Sequence, residues 1–381
     1  MLRTYNYRMY PNKTQTQALD AMLTAYRSLY NAALQERRDA WRRCRKSITF
    51  YDQCNQLKEI RNAGDELSRY SYSTAQWTLR RLDKAFKAFF RRIKSGDTPG
   101  FPRFKPARRF RSVTYTFGDG ATLKGKRLRL VGIDPIKVKW FRPLPAEAKI
   151  KTAVVKREID KWWVCFQVEL PDTEPPAHAG PVVGIDLGLS ALVTLSTGEK
   201  VEPPRHYRTA QAKLRRQQRR ASRRKRHSQR QKKAYQLVAK THQKIANQRK
   251  TFAHGLSRRL TETYSLIAVE DLNILGLAKS NLAKSVTDAA WSQLLMFLTY
   301  KAESAGGKVV KVDPRGTSQF CSGCGCRGPH KDLSVRVHRC PECGLVLDRD
   351  HNAALNILHR ALNPSVAGGQ ALTYPTRESV A

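Results

Sequence analysis

VVGIDLGLSALVTLSTGEKVE, residues 182–202, decides how the second half of the chain is read. It divides into strand, tight turn, strand, turn and strand. Asp186 ends the first of these strands, flanked by Gly184 and Gly188, which let other backbone come close. The next apolar strand, SLIAVE (265–270), ends on Glu270. Side chains alternate across a strand, so Glu270 and Asp271 point opposite ways, and one can face a metal while the other caps the next segment. DRDHNAALNI (348–357) opens a helix with Asp348 and Asp350 on either side of Arg349. Asp is a preferred N-cap, so one of the pair can cap while the other binds metal. Asp350 is the expected ligand, being closest to the helix that would carry it against the sheet.

Each acid alone has an ordinary reading, as a turn aspartate or a helix cap. Their joint order is strand acid, strand acid, helix-start acid. That order matches an RNase H-like α/β domain, whose core is a mixed sheet flanked by helices. Asp186, Glu270 and Asp350 could converge on two divalent ions, an arrangement that hydrolyses phosphodiesters. Mg²⁺ suits carboxylate, water and phosphate oxygens, and Mn²⁺ could replace it. Neither ion's role needs a nucleophilic side chain, and no convincing Ser–His–Asp or Cys–His pairing is present.

Between Glu270 and Asp350 lie Cys321, Cys324, Cys340 and Cys343, spaced C-x₂-C-x₁₅-C-x₂-C. This is a zinc-ribbon spacing, with four thiolates on one structural Zn²⁺. Both FCSGCG and RCPECG place Gly after the second Cys. Disulfides are disfavoured because the chain reads as intracellular and reduced. Cys326 and His338 are weaker substitutes as ligands. Zinc would hold together a stretch too small for its own core, so stripping it should loosen the module and weaken DNA loading. Cys44, Cys54 and Cys165 stand alone and are expected to be small core residues.

The chain of 381 residues carries 71 Lys+Arg against 31 Asp+Glu, a net charge of +40. Such an excess opposes compaction and calls for a polyanion, with nucleic acid far ahead of a membrane surface. No segment approaches the roughly 18 apolar residues of a membrane helix, and the start lacks the apolar core of a signal peptide. A cytoplasmic, nucleoid-associated protein of a bacterial or archaeal cell is expected, with no membrane partner and a monomer favoured. Residues 203–261 hold 20 Lys/Arg and no Asp or Glu. Two long helices are expected there, anchored by Leu237, Ile245, Phe252, Leu256 and Leu260. Within KLRRQQRRASRRKRHSQRQKK (213–233), Arg215, Arg216, Arg219, Arg220, Arg223, Arg224, Lys225 and Arg226 are the candidate nucleic-acid contacts. A charge run can be a solvated helix face or a disordered arm, yet one with no compensating acid is hard to explain without phosphates. Phosphate contacts position and do not read sequence.

In the first half, LRTYNYRMY (2–10) alternates as a strand. Tyr5, Tyr7 and Tyr10 are expected mainly to pack in a core, with base stacking as the alternative. Thr14-x-x-Gln17 has the form of a capping box opening a helix, and further helices are expected at about 51–62 and 72–94. SGDTPGFPRFKPARR (95–109) is a basic loop. Residues 110–170 read as short strands of a small β-barrel or sandwich, VTYTF, KRLRLVGI, IKVKWF, KTAVVKREI and KWWVCFQVEL. The first strand could join this sheet, making the helices an insertion. PDTEPPAHAGP (171–181) is a linker. AAWSQLLMFLTYKAESAG (289–306) reads as an amphipathic helix, KVVKVDP (308–314) as a strand and 351–361 as a helix. The tail, 363–381, has no clear periodicity and is expected to be disordered.

GFPRFK (100–105), GIDLGL (184–189), VEDL (269–272), FCSGCG…CPECG and DRDHNAALNI follow in that order. The combination resembles TnpB, the transposon-encoded RNA-guided nuclease family ancestral to type V CRISPR effectors, over nearly the whole chain. The resemblance implies a wedge β-barrel (1–10 and 106–172), a helical recognition domain (11–105), a RuvC-like nuclease domain (181–314 and 345–362) and an interrupting zinc-ribbon target-nucleic-acid-binding module (315–344). It implies Asp186, Glu270 and Asp350 as catalytic acids. It also implies a guide RNA from the transposon end, a double-stranded DNA target beside a short motif, and both strands cut at one site. Pairing would then supply sequence specificity, which accounts for a strongly basic chain with no helix-turn-helix or finger array of its own. Two other readings stay open: an RNase H-like transposase, and a non-catalytic zinc-ribbon nucleic-acid-binding protein.

Overall fold

The computed structural model describes residues 1–63, 66–172, 175–328, 332 and 334–363. They fall into two compact units, Met1–Asp172 and Thr173–Ala381. The expected disordered tail, apart from Asn363, lies outside the described residues.

The first unit comprises β1 (Leu2–Tyr10), α1 (Lys13–Cys44), α2 (Phe50–Asn62), a short 3-10 turn (Glu66–Arg69), α3 (Tyr72–Lys94), β2 (Ser112–Thr116), β3 (Ala121–Lys124), β4 (Arg127–Leu130), β5 (Ile133–Lys139), β6 (Lys149–Glu158) and β7 (Lys161–Glu169). The strands form one antiparallel sheet in the order β2-β6-β7-β1-β5-β4-β3. Its edges, β2 and β3, are consecutive in sequence and meet through a Phe117–Ala121 bridge, so the sheet nearly closes. The first strand does join it, pairing with β7 from Leu2–Glu169 to Met9–Trp162 and with β5 on its other side.

Helices and sheet share one hydrophobic core, which includes Tyr5, Tyr7, Met22, Leu57, Leu79 and Val155. Tyr10 is half exposed. The α1 cap is Asn12 with Gln15, in place of Thr14 with Gln17. Asn12 Oδ1 accepts from Gln15 N at 2.8 Å while Gln15 Oε1 accepts from Asn12 N at 2.9 Å. Asn caps as well as Thr, and Pro11 ahead of it cannot continue a helix backwards. Of the three isolated cysteines, Cys54 is buried, Cys165 half-buried, and Cys44 exposed at the end of α1, so the core assignment fails for Cys44.

The second unit comprises β8 (Val182–Asp186), β9 (Val193–Leu195), β10 (Lys200–Val201), α4 (His206–Ser222), α5 (Gln229–Thr263), β11 (Leu266–Glu270), α6 (Ile274–Leu277), α7 (Ala283–Ala289), α8 (Trp291–Ser304), β12 (Lys308–Val312), β13 (Val337–Arg339), β14 (Val346–Asp348) and α9 (Arg349–Leu362). Five strands make a mixed sheet in the order β10-β9-β8-β11-β12. β8, β9 and β10 pair antiparallel, whereas β8, β11 and β12 run parallel.

One face of this sheet buries Val183, Ile185, Ile267 and Val269 against Leu256 and Leu260 of α5 and Leu294, Phe297 and Leu298 of α8. The other face packs Ala268 and Val312 on Ile357 of α9. Helices on both faces of a part-parallel sheet are the expected layering for such strands, which are apolar on both sides. α4 and α5 pair through Leu214, Val238 and Ile245. Leu237, expected as an anchor, is 48% exposed, and Val238 takes its place because the helical phase is one residue later. Among the described residues no helix is long and apolar enough to cross a membrane.

Candidate functional site

β8 and β11 are parallel neighbours with Ile185 opposite Val269. The next residues on each, Asp186 and Glu270, therefore stand side by side at the C-terminal ends of both strands. Open α/β sheets commonly receive ligands at that edge. With Ile185 and Val269 in the α5/α8 core, alternation turns Gly184, Asp186, Ala268 and Glu270 toward α9. α9 crosses closely because residue 184 has no side chain: a Cβ there would stand 2.1 Å from the Ala354 carbonyl oxygen and 2.8 Å from Leu358 N. This crossing brings Asp350, in the first turn of α9, into the electrostatic neighbourhood of Asp186.

Asp348 takes the capping role. Its Oδ1 accepts from Asp350 N at 3.0 Å and His351 N at 3.1 Å, and its Oδ2 pairs with Lys200 Nζ at 2.7 Å. Burial pushes its carboxyl up, yet Lys200 and the two N–H groups outweigh this and hold it below the usual range. The Asp350 carboxylate accepts no hydrogen bond among the described residues. Asp271 points away from the acids and pairs with Lys311 at 2.8 Å. It caps nothing: the next helix is capped by Asn273, whose Oδ1 accepts from Gly276 N at 2.9 Å.

Burial drives the Asp186 carboxyl well above its ordinary pKa, and the charges of Glu270 and Asp350 add to the rise against the pull of Arg349. Glu270 is also raised by burial, partly offset by the Thr317 hydroxyl and Arg360. A desolvated group of like charges in a chain of net charge +40 is electrostatically incomplete, and a divalent cation is the counter-charge that fits oxygen donors. The acids do not close into a single-ion cage. Among the described residues, only the four cysteines bring three or more such donors within 4.8 Å of one another.

Cys321 Sγ lies 3.6 Å from Cys343 Sγ, and Cys324 Sγ lies 3.5 Å from Cys340 Sγ. These are far beyond a bonded S–S distance of about 2.05 Å. They approach the roughly 3.8 Å expected between sulfurs of a tetrahedral site with Zn–S bonds of about 2.3 Å. Three of these thiols titrate together: burial raises Cys321; against the Cys326 N–H, burial and the neighbouring thiols raise Cys324; and against burial, the N–H groups of Cys343 and Glu342 and the adjacent thiols lower Cys340. The donor set fits zinc. Cys326 is outside the four, its backbone carbonyl accepting from Cys321 N at 2.9 Å. The ribbon's strands β13 and β14 pair, and β14 runs directly into α9.

Three contributors were not singled out from sequence. Asn352, Asn356 and Arg360 recur every fourth residue along α9 and grip the segment leading into the first cysteine pair. Asn352 Nδ2 donates to Phe320 O, and Asn356 Nδ2 donates to Thr317 O and Phe320 O, all at 2.8 Å. Ser322 N donates to Asn352 Oδ1 at 2.9 Å, and Arg360 donates to Asp313 O and Arg315 O. The sequence shows only their four-residue spacing along one face of the helix. Asp288 was also missed. Buried on α7, its carboxylate accepts from Tyr207 N and Arg208 N at the start of α4 and pairs with Arg249 at 2.8 Å. It caps α4 from outside, since Arg205 at the cap position offers no side-chain cap.

All eight candidate phosphate contacts from Arg215 to Arg226 are exposed on α4 and the turn after it. In the first unit, α1, α2, α3 and the GFPRFK loop line a cleft of about 1230 Å³. Its exposed rings include Trp41, Tyr51, Phe90 and Phe101, and the Arg38 guanidinium sits 5.2 Å from the Phe104 ring. Exposed aromatics among basic groups suit stacked bases and phosphates.

Residues 165–281 match the OrfB_IS605 family model, described as a probable transposase. A Streptomyces pristinaespiralis protein named "Putative RNA-guided DNA endonuclease" is 36% identical over 386 residues, covering 99% of this chain and 93% of the relative. The chain belongs to the TnpB family. Another relative, Escherichia coli (strain K12) "Putative RNA-guided DNA endonuclease InsQ", is 28% identical over 94% of this chain and 92% of its own. The "Cas12f1-like, TNB domain" model matches residues 291–357, which include the four cysteines. A model described as a helix-turn-helix domain matches residues 1–46, although those residues form a strand and one 32-residue helix. A cryo-EM structure of a Cas12f1–sgRNA–target DNA complex aligns with TM-score 0.58 over 91% of this chain and 83% of that one. At 14% identity that likeness is one of fold. TnpB membership thus rests on sequence along the full chain, and the Cas12f1-like fold agrees with it.

Proposed function

We propose that this protein is the RNA-guided DNA endonuclease of a transposon, with Asp186, Glu270 and Asp350 as the catalytic acids of a RuvC-like site. The observation that carries the reading is Asp186 and Glu270 side by side at the ends of the parallel strands β8 and β11, with Asp186 buried and Asp350, in the first turn of α9, within its electrostatic reach. Magnesium, with manganese as a substitute, would supply the activated water and the charge that stabilises the leaving 3′ oxygen.

This chain's residues divide the work as follows. Asp186 and Glu270 hold the metal side of the site from the sheet, and Asp350 completes it from α9. Asp348 keeps α9 capped and its start in place. The zinc ribbon bears on the target nucleic acid. The basic α4–α5 hairpin tracks phosphates, and guide–target pairing supplies sequence. The guide is a transposon-end RNA, and the duplex target carries a short adjacent motif read by the first unit, where the aromatic-lined cleft is the candidate surface.

The test is to express the protein with its native flanking DNA, purify it in high salt and sequence the bound RNA. One discrete RNA ending in variable flank sequence supports the guided reading. Heterogeneous or absent RNA overturns it and favours a transposase acting on transposon ends or a plain nucleic-acid-binding protein.

A further inference from the structure

Thr317 lies between the two metal-binding regions of the second unit. It is 3% exposed, and its hydroxyl donates to Glu270 Oε1 at 2.5 Å. Its own carbonyl is held by Asn356, and the turn that follows, closed by Gln319 N and Phe320 N on Gly316 O, leads straight into Cys321. Gly316 has φ +76, a conformation that favours glycine in this turn. The 313–322 segment is therefore fixed at one end by the thiolate cluster and along its length by Asn352, Asn356 and Arg360 of α9, the helix that also carries Asp350. Thr317 is the side chain through which this segment touches an acid.

We propose that Thr317 is a positioning residue for Glu270, holding one oxygen of its carboxylate so that the group is oriented for a divalent cation, and that the zinc knuckle holds Thr317 in place. The inference rests on Glu270 being a ligand. Partners that hydrogen-bond a ligating group fix its orientation, and losing one typically costs about 10- to 100-fold in metal affinity. The knuckle is then part of the catalytic scaffold as well as a handle on nucleic acid.

The experiment compares Thr317→Val and Thr317→Ala, which lack the hydroxyl, with Thr317→Ser, which keeps it. Mn²⁺ binding to the RNA-free full chain is titrated by EPR, and the Mg²⁺ midpoint for cleavage is measured on the RNA-loaded complex. Zinc content and DNA binding are followed on each variant. Valine and alanine are expected to weaken Mn²⁺ binding and raise the Mg²⁺ midpoint by at least about tenfold. One zinc per chain and DNA affinity within about twofold should be retained, and serine should stay near wild type. Wild-type Mn²⁺ binding in the hydroxyl-free variants, or an equal loss in serine, overturns the proposal. Loss of zinc from both valine and alanine, with serine retaining it, counts against positioning and for a purely structural threonine. Glu270→Ala separates the two levels: if it keeps Mn²⁺ binding and cleavage, the ligand reading fails, whereas if it loses both while the Thr317 variants do not, only the positioning role fails.

Discussion

Gly184→Ala is the smallest change that should separate the three acids proposed as catalytic. The added methyl would stand 2.1 Å from the Ala354 carbonyl oxygen, and ordinary contact begins at 3.4 Å, so sheet and helix must part by about 1.3 Å. Neither obstructing atom is a flexible side-chain tip; the carbonyl oxygen and Leu358 N are both α9 backbone. Forcing a methyl into a packed interface costs about 1–3 kcal/mol. For a unit of this size that lowers the melting temperature by roughly 2–4 °C per kcal/mol. The larger effect falls on chemistry. Asp350 is four residues from Ala354, about one turn away along a rigid helix, and shares its displacement. A misplacement near 1 Å can cost on the order of 100-fold in rate. Guided cleavage of a matched duplex under single-turnover conditions, with thermal melting and zinc content alongside, measures this. The expected variant holds zinc, binds its RNA, melts a few degrees lower and cuts about 100-fold more slowly. Gly255→Ala is the control, since a Cβ there meets nothing within 4 Å in the middle of α5, and it should gain up to about 1 kcal/mol. Wild-type melting and cleavage in Gly184→Ala would refute the close α9 crossing as the device that assembles the site.

Three further outcomes follow from the same structure. Asp186 has a raised folded-state pKa, so the folded protein binds the extra proton and stability falls as pH rises from the unfolded carboxylate range through that raised value; Asp186→Asn should therefore melt higher than wild type at pH 7 in zinc-replete, Mg²⁺-free buffer, and lose cleavage. Asp288→Ala strands Arg249, whose side chain is 17% exposed, and uncaps α4, so urea unfolding should show a loss of about 3 kcal/mol. Replacing Arg215, Arg216, Arg219 and Arg220 with glutamine should lower the salt dependence of nucleic-acid binding by up to about 0.9 in log–log slope per lost phosphate contact, leaving target preference unchanged.

Strand alternation made most of both sheets readable, because a half-buried strand must place its apolar residues every second position. β3, Ala121–Lys124, escaped because four residues between tight turns carry too little pattern. The acid set was legible as an order along the chain, but what joins its members was not. The close crossing at Gly184, where a Cβ would stand 2.1 Å from the Ala354 carbonyl oxygen, depends on how a distant helix packs. The same is true of Asp288, whose partners lie 39 to 81 residues away in the chain. The α1 start is ambiguous in sequence because Asn12-x-x-Gln15 and Thr14-x-x-Gln17 both have capping-box form, each serving the N–H of its own third residue, and the structure uses the first. Asn352 and Asn356 read as ordinary helix residues until their carbonyl partners in the ribbon segment are seen.

The most direct measurement is cleavage of guide-matched duplex DNA in Mg²⁺ by RNA-loaded wild type beside Asp186→Ala, with binding of the same duplex measured in parallel. Both strands cut by wild type, and neither by a variant that still binds RNA and target, is the predicted result. Equal cutting by the two proteins would contradict the assignment of the active site to this sheet edge.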